Sequence, residues 1–119
     1  MAAPLRDASE LQKQLNEFQD LQRQLQFSAN QRQQLSMQIE EIKMAESELS
    51  RAEKSIYRLI GPILVESSKA DSINDLKERR ELFEMRIGVL SKQEEKARPR
   101  LEEIRSKLEK ALAQNKLSQ

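Results

Sequence analysis

The chain has 119 residues, of which 34% are charged and 3% aromatic, with only two glycines and three prolines; at a mean hydropathy of -0.80 it is too polar for an ordinary globular core and has the profile of long helices. Its 21 basic and 20 acidic side chains leave a formal net charge of +1, which excludes a global field that draws the chain onto nucleic acid or an anionic membrane. With no cysteine there is no disulfide, thiolate nucleophile or sulfur metal ligand, a composition that fits a reducing compartment.

The opening Met1-Ala2-Ala3-Pro4-Leu5-Arg6-Asp7 lacks the apolar run of a secretory signal, and no stretch approaches about 18 consecutive apolar residues. A cytoplasmic protein is expected, with residues 1–7 disordered. Asp7, with Glu10 three residues on, supplies an N-terminal cap for a first helix over 8–51. Counting alternately by three and four from Leu11 gives Leu11, Gln14, Phe18, Leu21, Leu25, Ser28, Arg32, Leu35, Ile39, Ile42, Glu46 and Leu49, in which 8 of 12 positions are apolar. This is a heptad seam, and disorder, the other reading of so polar a composition, predicts no such period. The glutamine-rich stretch from Gln31 to Gln34 lies inside the unbroken heptad and reads as helix surface.

A β-hairpin is expected over 55–67. Ile56, Tyr57, Arg58, Leu59 and Ile60 form one strand, Gly61-Pro62 the turn, and Ile63, Leu64 and Val65 the return. Alternation puts Ile56, Arg58 and Ile60 on one face and Tyr57 and Leu59 on the other, while Ile63 and Val65 point one way and Leu64 the other. Both faces are therefore largely apolar, and an isolated two-stranded hairpin is marginal in water. Cover from other chains is the expected solution, which makes Ile56, Tyr57, Leu59, Ile60, Gly61, Pro62, Ile63, Leu64 and Val65 the candidate oligomerisation surface.

A second helix is expected over 72–113, capped by Ser72 with Asp75 three residues on, with 114–119 disordered. The same count from Leu76 gives Leu76, Arg80, Phe83, Ile87, Leu90, Glu94, Ala97, Leu101, Ile104, Leu108, Ala111 and Asn115, in which 9 of 12 are apolar. Two helices of about 40 residues, each roughly 60 Å long, on either side of a short hairpin imply an antiparallel coiled coil whose chain ends meet far from the strands. The fold class is thus mainly α, a single unit over 1–119. Such a fold brings Arg32 within a layer of Glu94 and Glu46 within a layer of Arg80, in either of two registers: position 32 opposite 90, or opposite 97. Each such pair contributes under about 1 kcal/mol. Pro99, at an outward position, is expected to bend or break the second helix, or to restart it after an end near Lys96. Gly88, also off the seam, is a smaller weakness.

Enzyme chemistry finds no footing. Histidine and cysteine are absent, there is no G-x-x-x-x-G-K-[ST] or G-x-G-x-x-G loop, and the paired carboxylates Glu40-Glu41, Glu94-Glu95 and Glu102-Glu103 stand beside lysines and arginines on solvated helix faces. No cofactor or metal is expected. At the chain ends, Leu5, Leu11, Leu15 and Phe18 approach Leu108, Leu112 and Leu117. Leu15 and Leu112 lie one residue off the seam rows, so these residues either capture apolar segments weakly or widen the seam to close the coil.

The order of long helix, Tyr57-Arg58-Leu59-Ile60-Gly61-Pro62-Ile63-Leu64-Val65, long helix resembles the prefoldin beta class over nearly the whole chain, and a single hairpin resembles beta rather than alpha subunits. The stretches Asp75-Leu76-Lys77-Glu78 and Lys92-Gln93-Glu94-Glu95 look more like archaeal beta subunits than eukaryotic ones. The resemblance implies a heterohexamer of two alpha and four beta subunits, with hairpins joined into a β-barrel platform. It also implies an ATP-independent holdase that holds unfolded client proteins at its coil tips and passes them to a group II chaperonin. On that reading Leu5, Leu11, Leu15, Phe18, Leu108, Leu112 and Leu117 are substrate contacts and Ile56 to Val65 assembly contacts. A coiled-coil scaffold subunit without client binding is the alternative.

Overall fold

The structure, a computed structural model, describes residues 8–117, with side chains for 8–114. The order is helix α1 (Ala8–Arg51), strand β1 (Ile56–Ile60), strand β2 (Ile63–Ser67) and helix α2 (Lys69–Leu117). The chain is mainly α: two long antiparallel helices form a coiled coil, with a β-hairpin between them. It divides into two compact units, Gln31–Val89 (the hairpin unit) and the residues up to Asn30 together with those from Leu90 onward (the terminal unit).

Burial follows the heptad. Every seam position of α1, and every seam position of α2 through Ala111, is buried or half-buried, whereas the outward positions between them are open. In the hairpin unit Ile39 and Ile42 are buried; in the terminal unit Ile104 and Ala111 are, with Ile104 fully enclosed. A two-helix coil has only one contact surface, so the core is a single row of side chains.

In the hairpin unit Arg80 Nε donates to Glu46 Oε1 at 2.8 Å and its Nη2 to Oε2 at 3.4 Å, the Glu46–Arg80 pair that the seam count brings together. Ile42 shares a groove with Leu76, Arg79 and Phe83, the register equivalent to 32 opposite 90. In the terminal unit Arg100 makes a second two-pronged pair, to Glu17 at 2.8 and 3.0 Å. The seam count does not reach this pair, because Glu17 and Arg100 each precede a seam residue, Phe18 and Leu101. Both pairs hold their guanidiniums above the ordinary arginine value, chiefly through the hydrogen bonds that these donate to Glu46 and Glu17.

Helix α2 begins three residues earlier than expected. The sequence offers two Ser-x-x-Asp boxes in succession, Ser68 to Asp71 and Ser72 to Asp75. The first is used, with the Asp71 N–H donating to Ser68 Oγ at 3.0 Å. The second is taken up by other bonds: Asp75 pairs with Arg58 at 2.7 Å, and Ser72, buried, shares a 2.9 Å hydrogen bond with Ser67. Starting at residue 69 also puts the Lys69 ammonium on the C-terminal carbonyls of Ser50 at 3.0 Å and Ala52 at 3.4 Å, satisfying acceptors that α1 leaves open. At its other end α2 continues to Leu117 instead of stopping at 113.

Pro99 does not break α2, which is helical throughout. The acceptor that loses its helical donor is the carbonyl of Glu95, on an exposed residue open to solvent. The next residue, Arg100, is held to Glu17 across the seam.

Ile60 pairs with Ile63, leaving Gly61-Pro62 as a two-residue loop. Gly61 has φ 57°, and Pro62 is locked near φ -65°, the sign pattern of a type II′ turn, whose twist suits a hairpin. An added Cβ meets nothing within 4 Å at either Gly61 or Gly88, yet the two glycines respond oppositely. Gly61→Ala forces a side chain into the left-handed region and is expected to cost about 1–2 kcal/mol, whereas Gly88→Ala removes a flexible residue from a helix interior and gains roughly 0.5–1 kcal/mol. Urea unfolding of the two variants measures both. A second expectation concerns acid. Lys107, and then Arg100, hold the Glu103 carboxylate below its ordinary value of 4.5. A lowered folded pKa contributes stability that is present above the unfolded value and lost as pH falls through the folded one. Glu103→Gln therefore flattens the decline in melting temperature below about pH 4.5, compared with wild type, in thermal scans across that range.

Candidate assembly surface and terminal apolar residues

The hairpin register is Ile56↔Ser67, Tyr57↔Glu66, Arg58↔Val65, Leu59↔Leu64 and Ile60↔Ile63. Ile56, Arg58, Ile60, Ile63, Val65 and Ser67 accordingly share one face, and Tyr57, Leu59, Leu64 and Glu66 the other. Leu59 and Leu64, a directly opposed pair, are 70% and 67% exposed, and Tyr57, Ile60, Ile63 and Val65 are exposed as well. Gly61 and Pro62 are open at the turn. Only Ile56 among the apolar hairpin residues is half-buried, in a groove shared with Leu49 and Leu76. Within its own chain the hairpin thus leaves both faces largely uncovered, and a two-stranded sheet also leaves both outer edges unpaired.

With so little apolar burial, polar ties orient the hairpin. Arg58 of β1 reaches Asp75 of α2, and Ser67 at the end of β2 bonds Ser72. Each strand is therefore tied to the first turns of α2. Arg58 is thereby neutralised on a face that is otherwise largely apolar; its sequence position alone does not identify Asp75 as its partner, because the two are brought together by the tertiary fold.

The terminal unit separates the residues that the sequence groups together. Leu11, Phe18 and Leu108 lie half-buried in the seam, whereas Leu15 and Leu112 are 38% and 56% exposed. Leu5 lies outside the described residues, as does the side chain of Leu117. The seam also buries polar groups here: the side-chain oxygens of Gln14 and Ser28 have no hydrogen-bond partner among the described residues, and Glu94 is buried, with Arg98 3.9 Å away.

Sequence reasoning did not single out a further set of exposed apolar side chains, Phe27, Met37, Met44, Leu82, Met85 and Val89. The signal was available, since each is an apolar residue at an outward heptad position. No described helix is long and apolar enough to cross a membrane, and among the described residues no group of acidic side chains is placed to hold a metal ion.

The chain matches the model of the prefoldin subunit family over residues 12–115. It is 38% identical over 99 residues to the prefoldin subunit beta of Archaeoglobus fulgidus, covering 82% of this chain and 85% of that one. It is 32% identical over 105 residues to the prefoldin subunit beta of Thermococcus onnurineus, covering 87% and 90%. Among solved structures, the crystal structure of the prefoldin beta subunit from Thermococcus strain KS-1 is similar with a TM-score of 0.76 at 28% identity, over 87% of this chain and 92% of that one. Two antiparallel helices around one uncovered hairpin, matched over nearly their whole length, establish that this chain belongs to the prefoldin family as a beta subunit, a non-enzymatic chaperone.

Proposed function

We propose that this chain is one of four beta subunits that assemble with two alpha-class subunits into a prefoldin hexamer in the cytoplasm, as a single unit over 1–119. The hairpin residues Ile56 to Val65 join those of other subunits in a β-barrel platform. Without ATP, the complex holds unfolded client polypeptides at the ends of its coils and passes them to a group II chaperonin. The observation that carries this reading is the hairpin itself, whose opposed Leu59 and Leu64 stand open in a chain that otherwise buries its seam. Such a surface is too apolar to remain in water. Client capture rests on a different observation: Leu15 and Leu112 add apolar surface outside the seam, so they can engage an unfolded segment while Leu11, Phe18 and Leu108 hold the helices together.

The two halves of this proposal are separable. Leu59→Ser with Leu64→Ser changes only exposed side chains and shifts the stability of the lone chain within about 0.5 kcal/mol per site, yet it is expected to abolish the hexamer formed with an alpha-class subunit, as read by native mass spectrometry. Retention of the hexamer defeats the assembly reading. Leu15→Ser with Leu112→Ser is expected to preserve the hexamer but to cut suppression of client aggregation several-fold in light scattering, since weak apolar contacts at those positions are lost. Undiminished suppression overturns the assignment of these two leucines, and failure of the wild-type hexamer to bind non-native protein leaves the scaffold reading in its place.

A further inference from the structure

The hairpin carries two charged side chains with contrasting surroundings. Arg58 is answered within the chain by Asp75 at 2.7 Å. Glu66 is exposed on the opposite face, beside Tyr57, Leu59 and Leu64, and among the described residues nothing pairs with its carboxylate. Its backbone is open too. The β-turn hydrogen bond links Ile60 to Ile63, so by the antiparallel alternation 58–65 and 56–67 are the other bonded pairs, while 59–64 and 57–66 are not. The N–H and C=O groups of Leu64 and Glu66 therefore point away from β1, along an outer edge that no strand flanks among the described residues.

From this we infer that the outer edge of β2 is the seat of a heterotypic strand, one that presents a lysine or arginine opposite Glu66, and that Glu66 selects it against a second copy of this chain. The inference deepens the assembly reading and rests on it. A strand added at this edge brings its side chains within about 5 Å of Glu66 on the same face. It also draws the carboxylate out of water, a step that is costly unless a cation meets it. A second copy cannot supply that cation. The same-face positions of β2 around Glu66 are Leu64 and the turn residue Pro62, and those of β1 are Tyr57 and Leu59. Arg58 projects from the other face and is already held by Asp75. Any pairing of two copies that matches their apolar faces thus sets Glu66 against another Glu66 or against an apolar group, and like charges directly opposed are destabilising. The charge acts as a gatekeeper against self-pairing at an otherwise apolar edge.

The chain itself provides the probe. Full-length E66K, mixed with isotope-labelled wild type, presents a cation in the same strand context, and native mass spectrometry resolves the mixed dimers from the two self-paired forms. In an equimolar mixture the ratio of mixed to self-paired dimers is expected to exceed its statistical value by about 2- to 5-fold, the factor that one cross-strand charge pair supplies. The excess is expected to disappear in about 1 M salt, where exposed charges are screened. A statistical share, or no mixed dimer, overturns the inference. Full-length E66L is the second variant: with circular dichroism unchanged, it is expected to self-associate at several-fold lower concentration than wild type, and equal self-association counts against the inference. Neither measurement uses an alpha-class subunit or a client. Failure of the hexamer in the preceding tests therefore leaves this result readable, and statistical mixing beside a normal hexamer removes this inference alone.

Discussion

Two helices in contact share one surface, and that limit shapes the rest of this protein. In a bundle or a sandwich an element can bury side chains on several sides, but here each helix has a single long neighbour, so burial is concentrated in the heptad row. Ile39, Ile42, Ile104 and Ala111 are buried because they lie in that row. Met37, Met44 and Met85 are comparably apolar and remain open because they do not. Apolar residues off the seam therefore tend to stay open, as Leu59 and Leu64 of the hairpin and the outlying Leu15 and Leu112 do.

The same limit gives polar interactions more influence than they have in a large core. The two-pronged pairs Glu46–Arg80 and Glu17–Arg100 flank or occupy the seam and favour one register, although each is worth little in stability while partly exposed. At the hairpin, Arg58–Asp75 and Ser67–Ser72 tie the two strands to α2, and Lys69 satisfies the carbonyl end of α1. These bonds set the direction of a sheet that its own chain does not bury. The beta-subunit identity fits that division, since a hairpin held in place but left uncovered is prepared for assembly.

Much of this could be read from the residues. Counting from Leu11 and Leu76 identifies the buried row, and the equal lengths around Gly61-Pro62 bring Glu46 near Arg80 because antiparallel pairing follows from a short connection. Other features were hidden for definite reasons. Ser68 and Ser72 are equally good caps in sequence; the choice between them depends on Arg58 and Ser67, which reach the start of α2 only in the folded chain. Pro99 reads as a helix breaker, but its cost depends on whether the abandoned carbonyl faces water, a property of the surroundings. The seven terminal apolar residues form one group in sequence, and the fold divides them: Leu15 and Leu112 open, Leu11, Phe18 and Leu108 in the seam, with Leu5 and the Leu117 side chain beyond what is described.

The periodic features are written in the residues alone: two heptad seams, one two-residue turn, and a hairpin too apolar for water. Periodicity is local, and the α-helix and β-strand impose their own repeats wherever they form. Which charges find partners, where α2 starts, and which off-seam residues stay open follow from the folded arrangement. Those outcomes depend on groups far apart in the chain, such as Arg58 and Asp75 or Glu17 and Arg100, whose proximity no local repeat encodes.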